Sequence, residues 1–340
     1  MNKTLFSLIR KIETLLLLVA FQMILGGCEA RLNLEGVNKE LIKPVRRTDN
    51  FQALTNNGIV ITAVGDSGLI LTSPKASNPE DARQWTRTKI DGSPNFIDIV
   101  TCPDNSMIAL SVERQIWTSI DNGQKWTKSD LPTKETVVSL ACAPNGDYWI
   151  VGASTTILHS TDKGVSWSKN SLNEDATLTH IQFFDAQNGL VFGEFGVMAK
   201  TGDGGKSWQR GPKIPDNFYP MGIYFTDSQH GWVASLRGTI LHTVDGGKNW
   251  KRQETPTRSP LYGFRAMGDR VFAFGDNYTV IELDGQRWVS LDIPHLSSAY
   301  LRDAAVINDD MLLVAGGNGA LSSVKIKQKQ SLTGGLSNAR

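Results

Sequence analysis

Charge of one sign is missing from this chain: 35 lysines and arginines stand against 34 aspartates and glutamates, a formal charge of +1 at pH 7. That balance carries no basic footprint, so nucleic acid is not an expected partner. Cysteine is scarce, with three in 340 residues, and neither the cysteines nor His159, His180, His230, His242 and His295 show a spacing that would hold zinc. No metal and no cofactor is expected. A helical hydrophobic period is missing as well, which argues against a helical architecture after the N-terminus. The one long apolar run, "TLLLLVAFQMIL", is too short to cross a bilayer comfortably.

That run follows Lys3, Arg10 and Lys11 and ends in Leu25-Gly26-Gly27-Cys28. A basic start, an apolar centre and a small-small-Cys ending resemble the lipobox of bacterial lipoproteins. The resemblance implies cleavage after residue 27 and acylation of Cys28, leaving 28–50 as a lipid-anchored lead into the folded part. Each buried CH₂ contributes about 0.8 kcal/mol, so two or more chains give a stable anchor in the lipid bilayer. An exported lipoprotein facing the periplasm is the expectation. Glu29, in place of the aspartate of inner-membrane retention, favours the outer membrane.

Tryptophan supplies the ruler. Trp126, Trp167, Trp208 and Trp250 are 41, 41 and 42 residues apart, and Trp85 and Trp288 extend the series at 41 and 38. Four of them close the pattern Ser/Thr-x-Asp-x-Gly-x-x-Trp: Ser119, Asp121, Gly123, Trp126; Ser160, Asp162, Gly164, Trp167; Thr201, Asp203, Gly205, Trp208; and Thr243, Asp245, Gly247, Trp250. Within each period an apolar opening, a polar turn, a second apolar run, a Gly-containing turn and a short polar run succeed one another. Four short strands per period of about 40 residues are the signature of a propeller blade. Openings at Phe51, Phe96, Val137, Leu178, Pro220, Leu261 and Leu301 make seven blades across 51–327. The fold expected is an all-β, seven-bladed propeller of four antiparallel strands per blade. Blade 7 lacks a closing run, and the segment 32–44 is expected to lend the missing strand, which would leave no open sheet edge. The polar tail 328–340 is expected to be disordered.

The motif recurs four times, so it is read as architecture. Its Asp is expected to accept turn N–H groups and the Ser/Thr hydroxyl as a buried staple, its Gly to supply positive φ, and its Trp to pack on the blade. Cys102 and Cys142 fall one register apart in neighbouring repeats. Their side chains are expected on opposite sheet faces, as two buried, unpaired thiols.

The repeated residues resemble the Asp-box, the bacterial neuraminidase repeat. The phrases "GLVFGEFGVMAKTGDGGKSW" and "HGWVASLRGTILHTVDGGKNW", in seven tight blades behind a lipobox, resemble the photosystem II stability/assembly factor family. That resemblance implies a non-enzymatic scaffold that assists assembly of a membrane protein complex, or a thylakoid-lumen location if the source is cyanobacterial. A monomer is expected. The alternative is a sialidase-like glycoside hydrolase or carbohydrate-binding propeller. The short turns and the lack of an Arg-Ile-Pro signature weigh against the hydrolase. Client binding is expected on the face opposite the motif turns, where Arg237, Arg258, Tyr262, Arg265, Tyr300 and Arg302 combine arginine and aromatic side chains in the manner of protein-binding hot spots.

Overall fold

The computed structural model describes residues 33–75, 84–293 and 299–327. The expected signal segment, Cys28, His295 and the tail 328–340 lie outside the described residues. The chain divides into two compact units, Met1–Ile42 and Lys43–Arg340. In the first, helix α1 (Glu35–Leu41) carries an i,i+4 pair, Lys39 to Glu35 at 2.7 Å, and has no buried residue. The second unit contains seven antiparallel sheets, six of four strands and one of three. It is a seven-bladed β-propeller.

Each blade runs outward in chain order. In blade 2 the innermost strand is Phe96–Thr101, followed by Met107–Ser111, Gln115–Ser119 and, at the rim, Thr127–Asp130. The second strands are buried on both faces, as in Tyr148–Gly152 and Gly189–Gly193. The rim strands of blades 2 to 4 are largely exposed, which explains their polar sequences.

The apolar core is one cluster per seam between blades. Trp126 packs into the cluster of blades 1 and 2, Trp167 into that of blades 2 and 3, Trp208 into blades 3 and 4, and Trp250 into blades 4 and 5. Trp85 and Trp288 do the same at the seams of blades 7 with 1 and 5 with 6. The ruler residue is therefore a seam filler, each indole resting on the preceding blade. Burial of one such side chain stabilises by about 1.5–3 kcal/mol.

Two expectations are corrected. Blade 7 has only Leu301–Asn308, Met311–Gly316 and Leu321–Lys325, and the described part of 32–44 forms α1 and turns where a strand was expected. Its sequence, EGVNKEL, has no alternation to feed a sheet, and Asn33 Oδ1 accepts the Glu35 N–H at its start. The ring is closed by the stretch after residue 43. Arg87 on the rim strand of blade 1 donates to Pro44 O and to Asp49 Oδ2 (2.7 and 2.5 Å), and the Gly319 N–H of blade 7 donates to Asp49 O at 2.7 Å.

The second correction concerns Cys102 and Cys142, which form a disulfide with Cα atoms 5.3 Å apart. Opposite faces would separate two residues of one sheet. These belong to successive blades whose faces look at each other, so side chains pointing in opposite senses meet across the seam.

Candidate functional site

The motif turns join the third and fourth strands of blades 2 to 5. Ser119, Ser160, Thr201 and Thr243 are buried, and each hydroxyl accepts the N–H of the motif glycine at 2.8–2.9 Å while donating to the motif Asp at 2.8–2.9 Å. The carboxylates then accept the N–H of Lys125, Ser166, Ser207 and Asn249. The buried member of the staple is thus the hydroxyl. Asp162 and Asp203 are exposed and Asp121 and Asp245 half-buried, where buried carboxylates had been expected. Hydrogen bonds from Ser166, Ser207 and Asn249 hold Asp162, Asp203 and Asp245 at about 2, below the usual aspartate value. Glycine is required at Gly205, where φ is +76° and a Cβ would fall 2.0 Å from the Trp149 ring.

The opposite face carries the turns between second and third strands. In six blades the turn is a two-residue hairpin with both central residues at positive φ: Ser67-Gly68, Ser154-Thr155, Phe195-Gly196, Arg237-Gly238, Asn277-Tyr278 and Asn318-Gly319. This geometry prefers Asn, Asp or Gly. Several residues occupy it against that preference, among them Thr155 and Tyr278, which are buried, and Phe195 (φ +57°) and Arg237 (φ +55°), which are exposed.

A channel of about 660 Å³ runs between the innermost strands of all seven blades. Inside it, side chains at one repeat position latch neighbouring blades. Asp98 Oδ2 accepts Leu140 N–H at 2.8 Å, and Asp303 Oδ2 accepts Leu54 N–H at 2.7 Å. Arg265 donates to Asp303 Oδ1 at 2.7 Å. Asp98 is pushed up to about 6, chiefly because the enclosing strands keep bulk water away, with Asp303 adding repulsion. Burial also holds His180 down to about 3, assisted by the nearby Arg302 charge. The sequence carried a signal for the two aspartates that motif reading passed over: "FIDIV" and "LRDAAV" place Asp at the same step of an otherwise apolar strand.

At the channel mouth the structure gathers three of the six residues expected on this face. The Arg302 guanidinium lies 5.8 Å from the centre of the Tyr262 ring, which meets Tyr300 edge-on at 6.3 Å. Arg302 is exposed and makes no ion pair among the described residues. Arg265 lies deeper, committed to Asp303. Arg237 and Arg258 are exposed on blade 5 and on the loop that follows it.

The sequence model described as "Photosynthesis system II assembly factor YCF48" matches residues 77–175, 122–218 and 166–260, together more than half of the chain. The chain belongs to this family. No curated protein matches it. Among solved structures, YCF48 bound to D1 peptide is similar at 14% identity and TM-score 0.67, over 84% of this chain and 94% of that one. YCF48 from Cyanidioschyzon merolae is similar at 14% identity and TM-score 0.64, over 81% and 94%. A catalytically inactive virginiamycin B lyase from Staphylococcus aureus with quinupristin is similar at 12% identity and TM-score 0.69, over 83% and 96%. At such identities the likeness to the lyase is one of fold.

Proposed function

We propose that the protein is a non-enzymatic scaffold, exported and anchored in the bilayer through acylated Cys28, that holds a segment of a membrane-protein subunit at the channel mouth during assembly. One observation carries the reading: an exposed arginine, free of any acidic partner among the described residues, is held over the edge-packed tyrosine pair Tyr262 and Tyr300. A guanidinium presented this way can pair with a carboxylate and stack on a ring. The solved relative described as bound to D1 peptide supports a peptide ligand for this fold. The non-enzymatic reading rests on commitment of the acids. Asp98 and Asp303, the two acids among the described residues that line the channel, are spent on backbone N–H groups, and Asp303 also on Arg265, so the channel offers no free acid/base pair of the kind a glycosidase uses.

The test is capture of membrane-protein subunits by the acylated protein. Arg302→Glu should weaken capture at least tenfold, as loss of a hot-spot side chain does, with thermal stability nearly unchanged. Normal capture by this variant, or cleavage of sialosides by the unmodified protein at an enzymatic rate, overturns the reading.

A further inference from the structure

Phe195 and Arg237 stand at positions where four of six equivalent hairpins carry Ser or Asn. Nothing inside the fold requires the exchange, because Phe195 is 53% exposed and the neighbouring Leu236 is 51% exposed. Backbone strain held in an exposed side chain points outward, to what that side chain meets.

The two turns belong to one surface. Gly196 N–H donates to Phe218 O at 2.8 Å, and Ser235 Oγ donates to Tyr219 O at 2.7 Å, so the loop carrying Tyr219 is bonded to both blades. Tyr219 is itself 44% exposed. The tips are also closely packed at their bases: a Cβ on Gly196 would fall 2.3 Å from Ile214 O, and one on Gly238 would fall 2.1 Å from Thr257 O. Lys213, Arg237 and Arg258 are exposed around these apolar tips. Of the acids nearby, Asp216 is exposed, while Glu194 accepts the Thr177 N–H at 2.8 Å.

We infer that the blade 4 and 5 turns, with Phe195, Tyr219 and Leu236 at their apices and Arg237 beside them, dip into the interfacial layer of a lipid bilayer. The inference rests on the lipid anchor of the proposed function. Apolar side chains on turn apices, flanked by basic groups, match a surface with phosphate heads and an acyl layer beneath. Lys43, where the propeller unit begins, lies 15 residue steps after Cys28, and at about 3.3–3.6 Å each these reach at most about 54 Å. The propeller is therefore held close to the membrane. The contact turns the channel mouth toward the bilayer, where segments of a membrane protein emerge.

An environment-sensitive fluorophore on Phe195→Cys tests this in the full mature protein, with Asn277→Cys, the equivalent position of blade 6, as reference. Cys102 and Cys142 remain bonded to each other during labelling. On protein-free vesicles of phosphatidylethanolamine and phosphatidylglycerol with brominated acyl chains, the label at 195 should be quenched several-fold more than the label at 277. Leu236→Asp should abolish the difference. Equal quenching at both positions overturns the inference. So does shielding at 195 that appears only when the vesicles carry a membrane-protein client, which would make the patch a protein surface. Capture through Arg302 is read separately, so its survival in Leu236→Asp distinguishes failure of the bilayer contact from failure of the scaffold reading. Cys28 acylation is read by mass, and the comparison of two labels on the same vesicles stands whatever that mass shows.

Discussion

The seam between blades 2 and 3 and the seam between blades 7 and 1 begin with the same device and finish with different ones. In both, an aspartate on the inner strand accepts a backbone N–H of the next blade, Asp98 from Leu140 and Asp303 from Leu54. The two aspartates share one step of the inner strand, which other blades fill with Ala53, Ser139, His180 and Gly263. Blades 2 and 3 are continuous in the chain, and there a disulfide is added. Blades 7 and 1 are the two ends of the ring, and there Asp49, Arg87 and Gly319 draw the ends together. A continuous seam is already held by its connecting loop, so its extra link restricts mainly the unfolded chain. A closing seam has no such loop, and its polar contacts hold the ring shut.

The largest effect is expected at the covalent seam. A cross-link between residues 40 apart in sequence is worth about 4 kcal/mol in the chain-entropy treatment, with measured values often lower. Cys102→Ser with Cys142→Ser should move the urea midpoint down accordingly and steepen the slope of the transition, because the unfolded chain released from the cross-link exposes more surface. A loss below about 1 kcal/mol would mean that the apolar cluster of this seam suffices without the cross-link.

At the closing seam, Asp49→Ala leaves the partly buried Arg87 guanidinium with only Pro44 O as its acceptor. The expected loss is about 2 kcal/mol, below that of a fully buried pair because Arg87 keeps some contact with water. The distinguishing result is local: amide exchange should quicken in Phe51–Asn56 and Leu301–Asn308 and stay slow in blades 3 and 4. Uniform acceleration across the ring would erase the contrast between the two seams.

Legibility in the sequence follows the range of the interaction. The motif turns close within eight residues, so Ser119 through Trp126 and its three copies read directly; the tryptophan spacing set the repeat length and the seven apolar openings set the blade count. Contacts that depend on two blades meeting were misread or unseen. Face alternation is a rule within one sheet, and it misled at Cys102 and Cys142 because the relevant partner was another sheet. Blade 7 plainly lacked a fourth strand, but closure came from Asp49, whose partners Arg87 and Gly319 are 38 and 270 residues away. Of the arginines grouped on one face, Arg302 stands at the mouth with two tyrosines while Arg265 is taken by Asp303, a pairing set by the curvature of the inner ring.

The smallest effects separate two partners inside one motif turn, in the seam between blades 2 and 3. Ser160 is buried, and its hydroxyl satisfies the Gly164 N–H at 2.8 Å. Ser160→Ala orphans that buried donor and should cost about 1–2 kcal/mol. Asp162, exposed and solvated, should cost less on change to Ala, because its acceptor role can pass to water. The two also differ in pH dependence. Asp162 is held at about 2 in the fold against an ordinary 3.8. Its contribution is therefore present above the ordinary value and is lost as pH falls through the folded one. Melting curves should show Asp162→Ala converging on the unmodified protein as pH approaches 2, whereas Ser160→Ala stays displaced, since a hydroxyl does not titrate there. If Asp162→Ala proves the more costly change at neutral pH, the hydroxyl is not the buried keystone of the turn and the carboxylate is.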